Sequence, residues 1–127
     1  MELLKQLYKI HSYSGKEEPM RKFITKWAKE HGLKVTKDKK GNLYVVKGES
    51  ETYPCIVAHM DEVHAVRPKN FKIVVYKDNY ILGGDADILR PVGIGADDKN
   101  GIWCALRLLE RIDAMKAAFF VQEETGC

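Results

Sequence analysis

The spacing of apolar residues changes repeatedly between helix-like and strand-like along this chain, and that alternation limits the folds open to it. Residues 3–10 and the series from Met20 to Ala28 follow a helical rhythm, with Gly32 as a natural helix stop. A third helix is predicted over Ile102–Ile112, where apolar residues recur on one face. The predicted strands are Leu33–Thr36, Leu43–Val46, Cys55–Ala58, Phe71–Tyr76, Tyr80–Leu82 and Ala117–Val121. Helices and buried-type strands in this order predict a layered α/β fold.

Three local patterns refine that prediction. Ser14-Gly15-Lys16-Glu17 fits a capping box at the start of the second helix, and Asp78-Asn79 predicts a hairpin turn between two strands. The run Cys55–Ala58 is continuously apolar, which is typical of a buried strand. A loop rich in Gly and Asp is expected from residue 83 to residue 98.

Composition excludes several function classes. A chain of 127 residues suits one domain, and 21 basic against 18 acidic residues give a net charge of +3. That charge is too small to imply a nucleic-acid or membrane partner, and no segment approaches the ~20 apolar residues of a membrane-spanning helix. The cysteines Cys55, Cys104 and Cys127 are odd in number and lack CxxC spacing, which favours free thiols. We therefore expect a single-domain cytoplasmic protein.

The first polar cluster, Ala58-His59-Met60-Asp61-Glu62-Val63, follows a predicted strand. In an extended segment, residues two apart share a face, so His59 and Asp61 point the same way. A metal-bound imidazole typically donates its other ring N–H to a carboxylate. The pattern therefore suits a metal ligand with its orienting carboxylate. A surface loop with scattered polar groups is the alternative.

The second cluster, Gly93-Ile94-Gly95-Ala96-Asp97-Asp98, opens the third helix. An Asp that caps the helix, with glycines for the preceding turn, explains this segment without any function. The functional alternative is a carboxylate that bridges two cations about 3.5–4 Å apart. The segment is not a phosphate loop, because the P-loop motif is absent.

The third cluster, Gln122-Glu123-Glu124-Thr125-Gly126, follows the last strand. Adjacent carboxylates at a strand end usually point into solvent. A two-metal hydrolase, however, needs one carboxylate as a ligand and an unligated one as a general base. Because neighbouring side chains diverge, Glu123 and Glu124 could divide these two roles.

Taken in order, these segments resemble the co-catalytic zinc aminopeptidases, which include peptidase T and the glutamyl/leucyl aminopeptidase group. HSYSGKE at residues 11–17 resembles their Ser-Gly-x-Glu segment, and Asp38–Leu43 resembles the Asp-x-x-Gly-Asn segment that leads into a strand. AHMDEV and VQEETG are similar to the glutamyl aminopeptidase group, whereas GADDKNG is more similar to peptidase T. The resemblance covers essentially the whole chain.

The resemblance implies a layered α/β/α fold with a mixed sheet, two zinc ions and a peptide substrate. His59 would bind one zinc and Asp61 would orient it. Asp97 would bridge both ions and be joined to the next residue by a cis peptide bond. Glu123 would be the general base and Glu124 a ligand of the second zinc. The implied reaction is metal-assisted attack of water on a peptide carbonyl, in which the metals lower the pKa of the water toward ~7.

The family pattern also includes a further acidic ligand and a late histidine, and neither follows Gly126 in this sequence. Among the other histidines, His11 and His31 are expected at the surface, and His64 is a candidate substitute ligand. We therefore expect residues 1–127 to form the N-terminal part of a metallopeptidase catalytic domain, truncated at its C-terminus.

Three functions remain open at this point. The first is a zinc-dependent aminopeptidase, or the piece of one that carries its base and bridging ligand. The second is a non-catalytic remnant that binds metal weakly or associates with a second copy through an exposed sheet edge. The third is an α/β module whose acidic loops only cap helices.

Overall fold

The computed structural model describes residues 1–76 and 80–126, and its elements follow the predicted order. The helices are α1 (Glu2–Lys9), α2 (Glu18–Glu30) and α3 (Ala96–Arg111), and the strands are β1 (Lys34–Lys37), β2 (Leu43–Lys47), β3 (Cys55–His59), β4 (Phe71–Val75), β5 (Ile81–Asp85), β6 (Arg90–Val92) and β7 (Met115–Phe120). Within the described ranges, no helix is both long and apolar enough to cross a membrane.

Strands β1, β2, β7 and β3 form a sheet in that order. Strand β7 is antiparallel to β2 and parallel to β3. The prediction of an α/β fold with a mixed sheet is therefore confirmed. Because β3 and β7 are parallel neighbours, with His59 beside Phe120, the polar segments that follow them leave the sheet at the same edge.

Helices α2 and α3 cover one face of this sheet, and α1 packs against α3. A single apolar core joins them to the inward side chains of the strands, such as Ala58 and Phe119. The other face is open, since Val57 is 57% exposed and Cys55 is also exposed. The prediction of a buried β3 is therefore wrong for its outward side chains. The strand lies at the sheet edge, and only alternate residues reach the core.

Strands β4, β5 and β6 form a second, antiparallel sheet. The first two are the strands of the predicted hairpin, while its predicted turn at Asp78-Asn79 lies outside the described residues. Strand β6 was not predicted, because its Arg-Pro-Val sequence is short and lies within the Gly- and Asp-rich loop. Helix α3 begins at Ala96 rather than Ile102, although its first turn is irregular.

The start of α2 differs from the capping box predicted for Ser14–Glu17. Instead of capping the helix, the Ser14 hydroxyl donates a hydrogen bond to Asp61 Oδ2 at 2.7 Å. Glu17 Oε1 accepts one from the backbone N–H of Gln122 at 3.2 Å. The capping-box prediction is wrong, because both side chains bind segments that follow β3 and β7.

Candidate metal centre

Three side chains that could bind one metal ion converge at the edge where β3 and β7 end. They are His59 at the end of β3, Asp97 in the first turn of α3, and Glu124 just after β7. One donor atom from each lies within 4.8 Å of the other two. They are the three residues that the resemblance implies as metal ligands.

The imidazole of His59 has its two nitrogens in different surroundings. Nε2 faces the cluster, 3.0 Å from Asp97 Oδ1 and 3.8 Å from Glu123 Oε2. Nδ1 faces away from it and lies 3.2 Å from the backbone oxygen and 3.3 Å from Oδ1 of Asp61. A proton on Nδ1 would leave Nε2 free to bind a metal, which is the usual division of roles in a metal-ligating histidine.

Asp61 is buried and ties together the segments around His59. Its carboxylate accepts hydrogen bonds from the backbone N–H groups of Glu123 at 3.0 Å and Glu124 at 3.1 Å, besides the one from Ser14. Burial acts to raise the pKa of Asp61, but these hydrogen bonds outweigh it and hold that pKa below its usual value. The carboxylate therefore stays ionised and anchors the turn that carries both glutamates.

The pair Asp97-Asp98 divides into an exposed and an inward-facing carboxylate. The peptide bond between them is cis, as the resemblance implies. The Asp97 side chain is 84% exposed and faces His59. Asp98 instead accepts hydrogen bonds from the backbone N–H of His59 at 3.2 Å and of Gly101 at 2.9 Å. Asp98 thus fixes the loop, while Asp97 is free to bind an ion.

Glu123 and Glu124 lie in a short 3-10 turn, Glu123–Thr125, immediately after β7. Glu124 belongs to the three-donor cluster, whereas Glu123 does not. The Glu123 side chain is 53% exposed at the rim of the site. The turn therefore separates one carboxylate that can bind metal from one that can act on solvent.

The site is strongly acidic. Burial acts to lower the pKa of His59, but the hydrogen bond with Asp97 and the charges of Asp61, Asp98 and Glu123 outweigh it and raise that pKa above its usual value. A cation is therefore favoured at the position that Nε2 faces.

The donor set fits zinc. His59, Asp97 and Glu124 offer the imidazole and carboxylate donors that zinc takes in proteins, and a carboxylate can be shared between two ions. Ligands about 2.1 Å from a tetrahedral zinc lie roughly 3.4 Å from one another. The three donor atoms lie within 4.8 Å of one another, and His59 Nε2 is 3.0 Å from Asp97 Oδ1.

The remaining histidines lie outside this donor group. His11 Nε2 is 2.6 Å from the backbone oxygen of His64, and His31 stacks on Trp27 at 3.9 Å between ring centroids. The His64 ring packs against Gly93 and is not part of the described three-donor cluster.

A buried ion pair beside the site, between Lys99 and Glu62, was not predicted from the sequence. Lys99 is 1% exposed and Glu62 is fully buried. Lys99 Nζ donates to Glu62 Oε2 at 2.5 Å. Burial lowers the pKa of Lys99 to about 8, although Glu62 opposes the shift. A signal was available, since Lys99 stands one helical turn before Ile102 on the apolar face of α3.

Comparisons with known proteins place this geometry in context. No protein-family model matches the sequence. A Pyrococcus abyssi protein named as a LysW-lysine/LysW-ornithine hydrolase is 37% identical over 68 residues, which are 54% of this chain and 20% of that protein. A tripeptidase from Staphylococcus aureus has a similar structure, with a TM-score of 0.78 and 25% identity over 98% of this chain. The TET1 peptidase of Pyrococcus horikoshii, which can assemble into a tetrahedron or a large octahedral shell, has a TM-score of 0.66 and 20% identity over 98% of this chain.

The fold and the donor cluster together define the class: the chain has a peptidase-like hydrolase fold. Its resemblance to the co-catalytic metallopeptidases is confirmed. The chain covers only part of each of these proteins, 36% of the length of the tripeptidase and 62% of the length of the TET1 peptidase.

Proposed function

We propose that residues 1–127 form the N-terminal part of the catalytic domain of a zinc-dependent aminopeptidase, which hydrolyses a peptide bond with metal-activated water. The observation that carries this proposal is the convergence of His59, Asp97 and Glu124, whose donor atoms lie within 4.8 Å of one another. Three segments far apart in sequence bring one donor each to the end of the sheet. A set of capping side chains would not need to converge in this way.

Each side chain of the site would have a distinct role in hydrolysis. His59 and Glu124 would each hold a zinc ion, and Asp97 would be shared between the two. When bound, zinc supplies Lewis-acid stabilisation of the charge that develops on the carbonyl oxygen and lowers the pKa of water. Glu123 would accept the proton of the attacking water, because it lies at the rim without belonging to the donor cluster. Asp61 would hold the His59 ring in its ligand orientation.

A peptide substrate and a reducing compartment are each proposed on a separate observation. A peptide substrate is supported by the tripeptidase, which shares the fold over 98% of this chain. A reducing compartment such as the cytoplasm is supported by the free thiols of Cys55 and Cys104, both exposed.

Metal binding is the first test of this function. Zn2+ titrated into metal-depleted protein by calorimetry should give saturable binding, and Asp97→Asn should abolish it. Asp113→Asn makes the same charge change at an exposed position after α3 and should bind like the wild type. Absence of saturable binding in the wild type, or equal binding in Asp97→Asn, would refute the metal centre.

Turnover is the second test. With Zn2+ bound, cleavage of a panel of aminoacyl and tripeptide substrates that falls about 10²–10⁴-fold in Glu123→Gln would support the enzymatic function. The same variant should still bind Zn2+, because Glu123 lies outside the donor cluster. Zinc binding without turnover in the wild type would favour the non-catalytic alternative.

That alternative is a metal-binding or self-associating module, and one observation favours it. Strand β3 is an edge strand of its sheet. Its Val57 side chain is exposed on the face that the helices do not cover. Such an edge can pair with a second copy. Sedimentation over a range of protein concentrations would detect a homo-oligomer, and a monomer at all concentrations would exclude this route.

A further inference from the structure

The Glu62–Lys99 ion pair joins the two segments that carry His59 and Asp97. Glu62 follows Asp61 in the segment after β3, and Lys99 stands two residues after Asp97 in the first turn of α3. The pair thus connects, on the buried side, the same two segments whose ligand side chains meet on the exposed side.

The loop before α3 packs directly on this pair. Lys99 Nζ also donates to the backbone oxygen of Ile94 at 3.3 Å, so one ammonium group holds both ends of the loop that contains Asp97. Gly95 has a φ of +64°, and a Cβ at this position would collide with Glu62 Oε2. The loop therefore lies closer to the Glu62 carboxylate than any residue with a Cβ would allow.

Glu62 is itself held from the other side. Arg67 donates to its two oxygens at 3.1 and 3.3 Å, and the same guanidinium donates to the backbone oxygen of Tyr8 at 2.8 Å. The backbone N–H of Glu62 donates to the backbone oxygen of Ser12 at 2.9 Å. The carboxylate is therefore a fixed point to which Lys99 attaches the Asp97 loop.

Buried ion pairs add little to stability compared with apolar residues of similar size, since desolvation offsets their attraction. Where such a pair is present, its directional geometry can matter more than its energy. Here it joins the two segments that carry the candidate ligands His59 and Asp97.

We propose that the Glu62–Lys99 ion pair positions the metal centre by holding the His59 and Asp97 segments at ligand separation, with Lys99 as a positioning residue rather than a ligand. This inference rests on the proposed function, because it assumes that the cluster binds a metal. It assigns the pair a role in metal affinity and coordination geometry, beyond its role in folding.

The test compares metal binding by Lys99→Met with that of the wild type. Methionine keeps a long, unbranched side chain and removes the ammonium group. Zn2+ affinity from calorimetry should fall about 10–100-fold, the loss typical when a group that fixes ligand orientation is removed. The visible absorption spectrum of the Co2+-substituted protein should also change, because the donor atoms are no longer held at the same separation.

A matched control uses the other end of the same helix. Lys47 Nζ donates to the backbone oxygens of Leu109 at 2.8 Å and Glu110 at 3.3 Å, near the end of α3. Lys47→Met should therefore destabilise the protein in urea while leaving Zn2+ affinity and the Co2+ spectrum unchanged. This control separates loss of stability from loss of positioning.

A second variant guards against a folding failure. Glu62→Gln keeps the side-chain shape and removes the charge, and it should also weaken Zn2+ binding and alter the Co2+ spectrum. Wild-type affinity and spectrum in either folded variant would overturn the proposal. Failure of both variants to fold would assign the pair to folding alone and would also overturn it. If the wild type itself bound no Zn2+, the proposed function would fail first, and this inference with it.

Discussion

Asp61 lies 3.3 Å from the Nδ1 atom of His59, on the side of the ring opposite the cluster of candidate ligands. The same carboxylate accepts hydrogen bonds from Ser14 and from the backbone of the turn that carries Glu123 and Glu124. The buried Asp61 carboxylate therefore orients the His59 imidazole and also fixes the turn that carries the Glu123 and Glu124 carboxylates.

Replacing Asp61 with Asn should impair both stability and metal binding. An amide offers one acceptor oxygen where the carboxylate offers two, so at least one buried donor loses its partner. Loss of such a hydrogen bond costs ~1–3 kcal/mol in the free energy of unfolding. Zn2+ affinity should also fall by about 10–100-fold, because the negative charge beside His59 Nδ1 is lost. Urea unfolding and calorimetry measure the two effects.

Asp38→Asn is the control for that variant. Asp38 accepts hydrogen bonds from the backbone N–H groups of Gly41 and Asn42 at 2.9 and 3.0 Å, in a turn that precedes β2. Its substitution should lower the urea midpoint and leave Zn2+ affinity unchanged. Equal loss of affinity in both variants would mean that Asp61 acts only through stability.

In the sheet formed by β1, β2, β7 and β3, only one face is buried. One substitution on each face can test this. Val45 in β2 is fully buried against the helices, whereas Val57 in β3 is mostly exposed. Val45→Thr buries a hydroxyl group and should cost ~1–3 kcal/mol in the free energy of unfolding. Val57→Thr should change it by no more than ~0.5 kcal/mol. A similar loss at both positions, measured in urea, would show that the outer face is covered in solution.

The three ligand segments were predictable because each one directly follows an apolar strand or opens a helix. Such positions are encoded locally, so the three polar clusters could be located before the sheet order was known, whereas the choice of His59, Asp97 and Glu124 within them came from the resemblance. Parallel pairing of β3 with β7 then brings two of these segments to the same edge.

Contacts between distant segments could not be predicted in the same way. Glu62 and Lys99 are 37 positions apart, and their pairing depends on how α3 lies against β3. The same limit explains the error at Ser14, whose local sequence favours a helix cap. In the folded chain, buried Asp61 is the acceptor that its hydroxyl reaches.

Tyr8 should make stability depend on pH in the alkaline range. Its side chain is buried and donates a hydrogen bond to Asn100 Oδ1 at 2.5 Å. Burial raises the pKa of Tyr8. The folded state therefore keeps the phenol proton to a higher pH than the unfolded state, whose pKa is about 10. The stability that this provides is fully present below about pH 10 and is lost as the pH rises through the folded-state value.

Tyr8→Phe removes that titration. Urea unfolding measured at several values on either side of about pH 10 should show a shallower decline in the variant than in the wild type. An identical decline in the two proteins would assign the alkaline loss of stability to other groups.

Gly95 and Gly32 provide a matched pair for measuring how closely the Asp97 loop packs on Glu62. Both glycines have positive φ angles, +64° and +69°, so alanine incurs a comparable backbone cost of about 1 kcal/mol at each. At Gly32, a Cβ would meet no atom within 4 Å. At Gly95 it would collide with the Glu62 carboxylate.

Gly95→Ala should therefore cost a further 1–3 kcal/mol, roughly, in the free energy of unfolding measured in urea. Because the collision displaces the loop, it should also weaken Zn2+ binding, which Gly32→Ala should leave unchanged. Equal stability losses and equal affinities would mean that the loop does not rest on Glu62, and the Asp97 ligand would then need another support.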